Sequence, residues 1–412
     1  MLSKWPINVE MGTLTKGCSH VIDEADLRRK VERSKKEDKP LVVKVGFDPS
    51  APDIHLGHTV LLHKMRHFQD AGHRVIFLIG DFTGLIGDPS GKKSTRPQLS
   101  REEIEKNATT YAEQCFKVLD PKKTEIRYNS EWFLGGGPEK RSPLGADGFV
   151  RLASRITVAR VLERDDFQRR WNAHQPIALH ELMYPLSQGY DSVALAADVE
   201  LGGTDQLFNL LLGRDLMREE GMEPQVVMTV PLLVGTDGVE KMSKSLGNAI
   251  GVNDPPSEMY GKVMSISDET MWSYYLLLTD DLPDQIEEMK RAKHPMDAKK
   301  ELARRIVTRY HGAEKAAEAE EDFVRVFSKR EDPARYEEIV LPASEAPDPL
   351  PKVIAEAGLA PSNAEARRLI ASGAVDVNDV RAADPKQTIA RTAGAELRLR
   401  VGKRRFAKIV FR

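Results

Sequence analysis

Cysteine is nearly absent: Cys18 and Cys115 are the only two in 412 residues. Two thiols so far apart exclude a disulfide framework and a paired-cysteine zinc motif, and they suit a reducing, cytoplasmic setting. Long apolar runs are missing too. Segments such as Val75–Ile79 reach only strand length, so no membrane span is expected. Met1 to Lys16 scatters Lys4, Pro6, Asn8 and Glu10 among its apolar residues, which excludes the continuous apolar core of a secretory signal. The chain is 41% hydrophobic and 30% charged, as in a soluble globular protein, and its length predicts two or three domains.

The net charge of −2 hides an asymmetry: residues 350–412 hold 13 Lys and Arg against 6 Asp and Glu, a balance of +7, which leaves −9 on residues 1–349. A small basic module on an acidic body suits a nucleic-acid partner, although a solvated basic end without a partner has the same composition.

Apolar patterning predicts a β-α-β unit near the start. Leu41–Phe47 reads as a buried strand, a helix capped by Asp53 carries Leu61, Leu62, Met65 and Phe68 and ends at Gly72, and Val75–Ile79 is the next strand. A parallel sheet follows, with further strands at Val199–Leu201 and Val226–Val234. Ser100 and Glu103 form a capping box opening a helix to about Leu119, and a strand near Glu125–Tyr128 precedes the Gly135-Gly136-Gly137-Pro138 loop. Residues 98–180 read as an insertion. A helical pattern with Leu302 and Ile306 inward fills 257–329, and the Pro- and Ala-rich stretch 341–349 reads as a linker. Beyond it Ser362 caps a short helix ending at Gly373, Ala374–Val377 is a short strand, and Leu397, Leu399 and Val401 alternate with Glu396, Arg398 and Arg400 in a basic hairpin closed by Phe406–Phe411.

In an open α/β sheet, ligands gather beyond the carboxyl ends of the strands, and four polar segments fall there. His55-Leu56-Gly57-His58 follows the first strand. At a helix tip, unpaired amides attract anions, neutral imidazoles can donate to phosphate oxygens, and Gly57 lets a nucleotide approach the backbone. Two histidines at this spacing also suit metal ligands or a plain surface. Gly87-Asp88-Pro89-Ser90-Gly91-Lys92 follows the second strand, but Ile86 stands where a phosphate-binding GxxxxGK loop needs its first glycine. Gly203, Asp205 and Gln206 follow a later strand. Finally, Lys241-Met242-Ser243-Lys244-Ser245 comes after Gly235-Thr236-Asp237-Gly238, which predicts a mobile loop able to bring two cations onto a pyrophosphate.

Together these residues resemble the class I aminoacyl-tRNA synthetases, whose signatures are a HIGH-like tetrapeptide and a KMSKS loop, the latter matched letter for letter. Within that class the chain resembles the tyrosyl-tRNA synthetase family, through Gly46-Phe47-Asp48-Pro49, the Gly84–Lys92 segment, Tyr184-x-x-x-Gln188-x-x-Asp191, Gly203-x-Asp205-Gln206 and the basic tail. The resemblance implies a Rossmann-like α/β catalytic domain over 1–240, with the 98–180 insertion making a homodimer contact. It also implies a KMSKS loop and helical anticodon-binding domain over 241–340, and a small α+β RNA-binding domain over 350–412 like one found in a small-subunit ribosomal protein.

The activity implied is ATP-dependent formation of tyrosyl-adenylate from L-tyrosine, then transfer to the terminal adenosine of tRNA(Tyr). Magnesium would arrive on ATP, with no tightly bound cofactor. By resemblance, His55, His58, Lys241, Lys244 and Ser245 act on the phosphates. Asp88, Tyr184 and Gln188 hold the α-ammonium, with Asp48 and Gln206 beside the substrates, and Asp191 accepts from the phenol. Gly57, Gly203, Asp205 and Lys244 contact ATP, while Lys92 and Arg96 act on pyrophosphate or on the tRNA acceptor end. Two positions depart from the better-known branch: Lys44 stands where that branch has a tyrosine against the phenol, and Glu200 where it has a glutamine. A small-molecule nucleotidyltransferase would share the histidine motif but would need neither the helical region nor the basic tail.

Overall fold

The computed structural model describes residues 2–49, 53–90, 99–135, 144–325, 337–344, 346–378, 380–402 and 405–412. The chain forms two compact units, residues 1–320 and 321–412. Their one boundary, at 320/321, differs from the divisions expected at 240/241 and 340/341. No division falls at 240/241, because Lys241 pairs with Val234 and Tyr274 Oη donates to the Val234 carbonyl at 2.7 Å, tying the lysine loop and the following helices to the sheet domain.

The first unit is built on a six-stranded sheet: β1 (His20–Ile22), β2 (Val42–Phe47), β3 (Arg74–Ile79), β4 (Thr124–Tyr128), β5 (Val199–Gly203) and β6 (Val226–Val230), in the order β1-β6-β5-β2-β3-β4. The expected parallel sheet is present from β6 to β4. The short edge strand β1, with no apolar run to announce it, adds antiparallel to β6. The segment 98–180 is only partly an insertion, because it supplies β4 at the other edge. Strands with both faces covered read as continuous apolar runs, and β5 and β6 are buried throughout.

From β2 the chain passes through the helix Leu56–Asp70 to β3 on one side, and from β5 through Leu207–Glu219 to β6 on the other. The order therefore reverses between β2 and β5, which places the crevice beyond Phe47 and Gly203. Ile76, Leu78, Trp132, Phe133, Leu186 and Leu216 form one apolar cluster under that end of the sheet.

The second unit has a five-stranded sheet in the order β10-β9-β12-β13-β7, made of β7 (Glu337–Leu341), β9 (Val375–Val377), β10 (Val380–Arg381), β12 (Glu396–Val401) and β13 (Arg405–Phe411). A two-stranded piece joins β8 (Asp348–Pro349) to β11 (Thr388–Ile389). The expected linker 341–349 is thus part of a fold: β7 runs parallel to β13, and β8 pairs with β11. The predicted hairpin forms between β12 and β13. Leu397, Leu399 and Val401 enter the core with Ile370, capped as expected by Ser362, while Arg398 lies on the solvent side.

Candidate active site

His55, not Asp53, caps the helix Leu56–Asp70. Its Nδ1 accepts from the Gly57 amide at 3.1 Å, and the His55 amide in turn donates to His58 Nδ1 at 3.2 Å. With both Nδ1 atoms accepting, each neutral ring carries its proton on Nε2, free to donate. Burial, the neighbouring imidazole and Lys244 push His55 down to about 2, and burial followed by Lys244 pushes His58 down to about 4, so both rings are uncharged at neutral pH. A Cβ at Gly57 would lie 2.9 Å from the His55 ring, so the glycine also makes room for its own cap.

The lysine loop meets this tip directly. Ile250 accepts from the Leu56 amide at 2.9 Å, Ile54 accepts from Val252 at 3.1 Å, and Lys244 Nζ lies 2.6 Å from Asp53 Oδ2. Lys241 Nζ is 3.6 Å from Asp205 Oδ2, and Ser243 and Ser245 share a hydroxyl contact at 2.9 Å. Where a loose loop was expected, Asn248 pins it by accepting from the Ser243 amide at 2.7 Å and donating to Asp237 at 2.6 Å. Gly235 permits this, since a Cβ would sit 2.2 Å from the Asn248 amide nitrogen.

Beyond β2, Asp48 accepts from Thr83 Oγ1 at 2.7 Å and from Tyr184 Oη at 2.9 Å. Burial and the nearby Asp48 and Asp88 hold the Tyr184 phenol well above its ordinary range, so it remains a donor. Asn129, at the carboxyl end of β4, donates to Thr83 at 3.0 Å and reaches Asp191 at 3.5 Å, and Trp132 Nε1 donates to Asp191 at 3.0 Å. Asp48 and Asp191 are thereby linked through Thr83 and Asn129. Burial pushes the Asp191 carboxyl up to about 7, against the opposing pull of Lys44 and Trp132.

A second network surrounds Asp88, which takes Ser90 at 2.6 Å, Gln206 at 3.0 Å and Arg164 at 3.2 Å. Burial raises this carboxyl, but Arg164 and the hydrogen bonds outweigh it and hold the group below its usual range. Gln206 also accepts from Asn209 at 3.1 Å, and Asn209 donates to Gln188 at 2.7 Å, so Gln188 joins the network from the helix Tyr184–Leu195. At Gly203 an added Cβ would lie 2.6 Å from Asp205 Oδ1, so the glycine also leaves room for that carboxylate.

The expected residues in the described regions fall into three sets of contacts, the His55–His58 tip with the lysine loop, the Asp48–Tyr184–Asp191 set and the Asp88–Gln206–Gln188 set; Lys92 and Arg96 fall outside the described residues. Thr83, Asn129, Trp132, Arg164, Asn209 and the lysine partner Asp53 were not anticipated. Asn129 was findable, because it directly follows a strand. Arg164 sits in a charged run, Glu163 to Asp166, that carries no signal. The two departures also prove to be one feature: Lys44 Nζ and Glu200 Oε1 lie 2.7 Å apart, both fully buried. Removing one member alone would strand a buried charge, which costs about 3–5 kcal/mol. Among the described residues, no group of three or more His, Cys, Asp or Glu is placed to hold a metal ion, and no helix is long and apolar enough to cross a membrane.

The family described as tRNA synthetases class I (W and Y) matches residues 35–328, and the S4 domain matches 348–393. The chain belongs to the class I tRNA synthetases of the W and Y type. Within this family, the chain is 52% identical to the tyrosine–tRNA ligase of Oleidesulfovibrio alaskensis, over 98% of its own length and 99% of the relative's. It is 54% identical to that of Geobacter metallireducens over the same shares. Among solved structures, the tyrosyl-tRNA synthetase of Archaeoglobus fulgidus, complexed with L-tyrosine, aligns with a TM-score of 0.60 at 23% identity. That alignment covers 76% of this chain and 99% of the other, and supports the fold alone.

Proposed function

We infer that the chain is a tyrosine–tRNA ligase, which condenses L-tyrosine with ATP to tyrosyl-adenylate and pyrophosphate and then esterifies the terminal adenosine of tRNA(Tyr). The observation that carries the mechanism is the junction of the histidine helix tip with the lysine loop, in the same unit as the buried, hydrogen-bonded Asp191. In-line attack of the carboxylate on the α-phosphorus forms the acyl–phosphate bond as the bond to pyrophosphate breaks. His55 and His58 donate from Nε2 to oxygens gaining charge, and Lys241 and Lys244 exchange their carboxylate partners for the leaving pyrophosphate. Ser245 adds a hydroxyl donor, Gly57 and Gly203 keep the backbone at the nucleotide clear of side chains, and Asp205 holds the ribose. Magnesium would accompany ATP and screen its phosphates.

Asp88, Tyr184, Gln188, Gln206 and Asp48 receive the amino-acid head, and Asp191 accepts from the phenol. The second unit, with exposed Arg368, Arg381 and Arg398 outside an apolar core, would bind tRNA through phosphates. A homodimer formed through the insertion is supported by exposed Leu134, Val150, Val158, Trp171 and Leu179 within that segment. Cytoplasmic residence follows from the proposed role. Amino-acid-dependent exchange of pyrophosphate into ATP is the test: activity with tyrosine and none with tryptophan is expected, and exchange that ignores tyrosine would reject the reading.

A further inference from the structure

Lys44 and Glu200 belong to neither polar network, although they face each other in register across β2 and β5 at the centre of the sheet. Glu200 turns its second oxygen to Ser192 Oγ at 2.6 Å and Gln225 Nε2 at 2.8 Å. Ser192 is the residue after Asp191, so the pair is fastened to the same turn of helix that presents the phenol acceptor. The direct hydrogen-bond partners of Asp191, Trp132 and Asn129, are neutral, and Asp48 stands further off behind Thr83. The ion pair's fields reach Asp191, Lys44 favouring its charged form and Glu200 opposing it.

We propose that the buried Lys44–Glu200 ion pair is a positioning and charge-setting support for Asp191, so that preference for a phenol over a bare phenyl ring depends on two side chains that act only through that aspartate. This rests on the reading of Asp191 as phenol acceptor. An ionised Asp191 takes the phenol proton as a hydrogen bond and is left unpaired by phenylalanine, whereas a protonated Asp191 discriminates poorly. Removing the lysine leaves Glu200 to repel charge on Asp191; removing the glutamate's charge leaves Lys44 to draw Asp191 into the ionised form.

The test measures pyrophosphate exchange with tyrosine and with phenylalanine across pH for Lys44→Met, Glu200→Gln, the double variant and Asp191→Asn. In Lys44→Met the fall of tyrosine KM with rising pH should move to higher pH, and the preference for tyrosine at neutral pH should drop about tenfold for each pH unit moved. Glu200→Gln should move the profile to lower pH, and the double variant should return towards the parent. The KM for ATP and the kcat should change little. Profiles that stay superimposed, or that move in the same direction in both single variants, would overturn the proposal. If Lys44→Met shows no cooperative melting, Glu200→Gln and the double variant still decide. Unchanged tyrosine KM and preference in Asp191→Asn would instead defeat the role given to Asp191 itself.

Discussion

Lys241 and Lys244, 47% and 41% exposed, each meet one carboxylate within reach of solvent, whereas Asp191, 3% exposed, holds neutral donors in the interior. Water solvates these exposed charges, so a lysine can leave its aspartate for another anion at little expense. Around buried Asp191 nothing can rearrange cheaply, and on the proposed reading a wrong substrate leaves an unmet polar group in low dielectric. On the proposed reading the exposed lysines suit charge that appears transiently, and the buried aspartate suits discrimination.

The sharpest way to break this contrast is Asp191→Ala. Tyrosine activation should fall by about 10³ or more in kcat/KM. Stability should fall by about 1–3 kcal/mol as Trp132 loses its acceptor, measured by thermal melting with the fold retained. A variant that discriminates tyrosine from phenylalanine as before would place specificity elsewhere. At the helix tip, His58→Ala should lower kcat by about 10²–10³ with tyrosine KM little changed. Lys244→Ala should have a milder effect that shrinks as salt is added, since its charge is half exposed.

Removing the second unit should abolish most charging while leaving exchange nearly intact. The cut belongs near residue 321 rather than 350, because β7 would otherwise be left without its partner β13. Equal loss of both activities would make the tail structural.

The smallest effects concern pH. Asp191 titrates at about 7 in the fold and at the ordinary carboxylate value of 3.8 when unfolded. Between those values the unfolded chain has released a proton that the folded chain keeps, so this group's contribution to stability declines as pH rises through the window. Melting of the parent against Asp191→Asn across that range should show the difference. The histidines, held neutral by burial, should leave kcat without an inflection near their ordinary pKa of 6.5.

Much of the fold was legible because its signals are local. Ser100 with Glu103 and Ser362 cap helices as read, and the β2–helix–β3 unit follows from apolar runs punctuated by polar residues. The failures are equally specific. Asp53 has the right chemistry for a cap, yet His55 takes that role and leaves Asp53 for Lys244, 191 residues away in sequence. The stretch 341–349 reads as a linker because proline and alanine carry no strand period, although it holds the end of β7 and the whole of β8, whose partners come from the tail.

The sequence by itself determined the motifs, their order and the side chains suited to phosphate, ammonium and phenol, since these depend on residue type and short spacing. Only the tertiary structure decided which charges answer one another: Lys244 with Asp53, Arg164 with Asp88, Lys44 with Glu200. The physical reason is that opposite charges pair by distance in space. A sheet order that brings β2 against β5 makes neighbours of residues separated by most of a domain, and no local pattern records it.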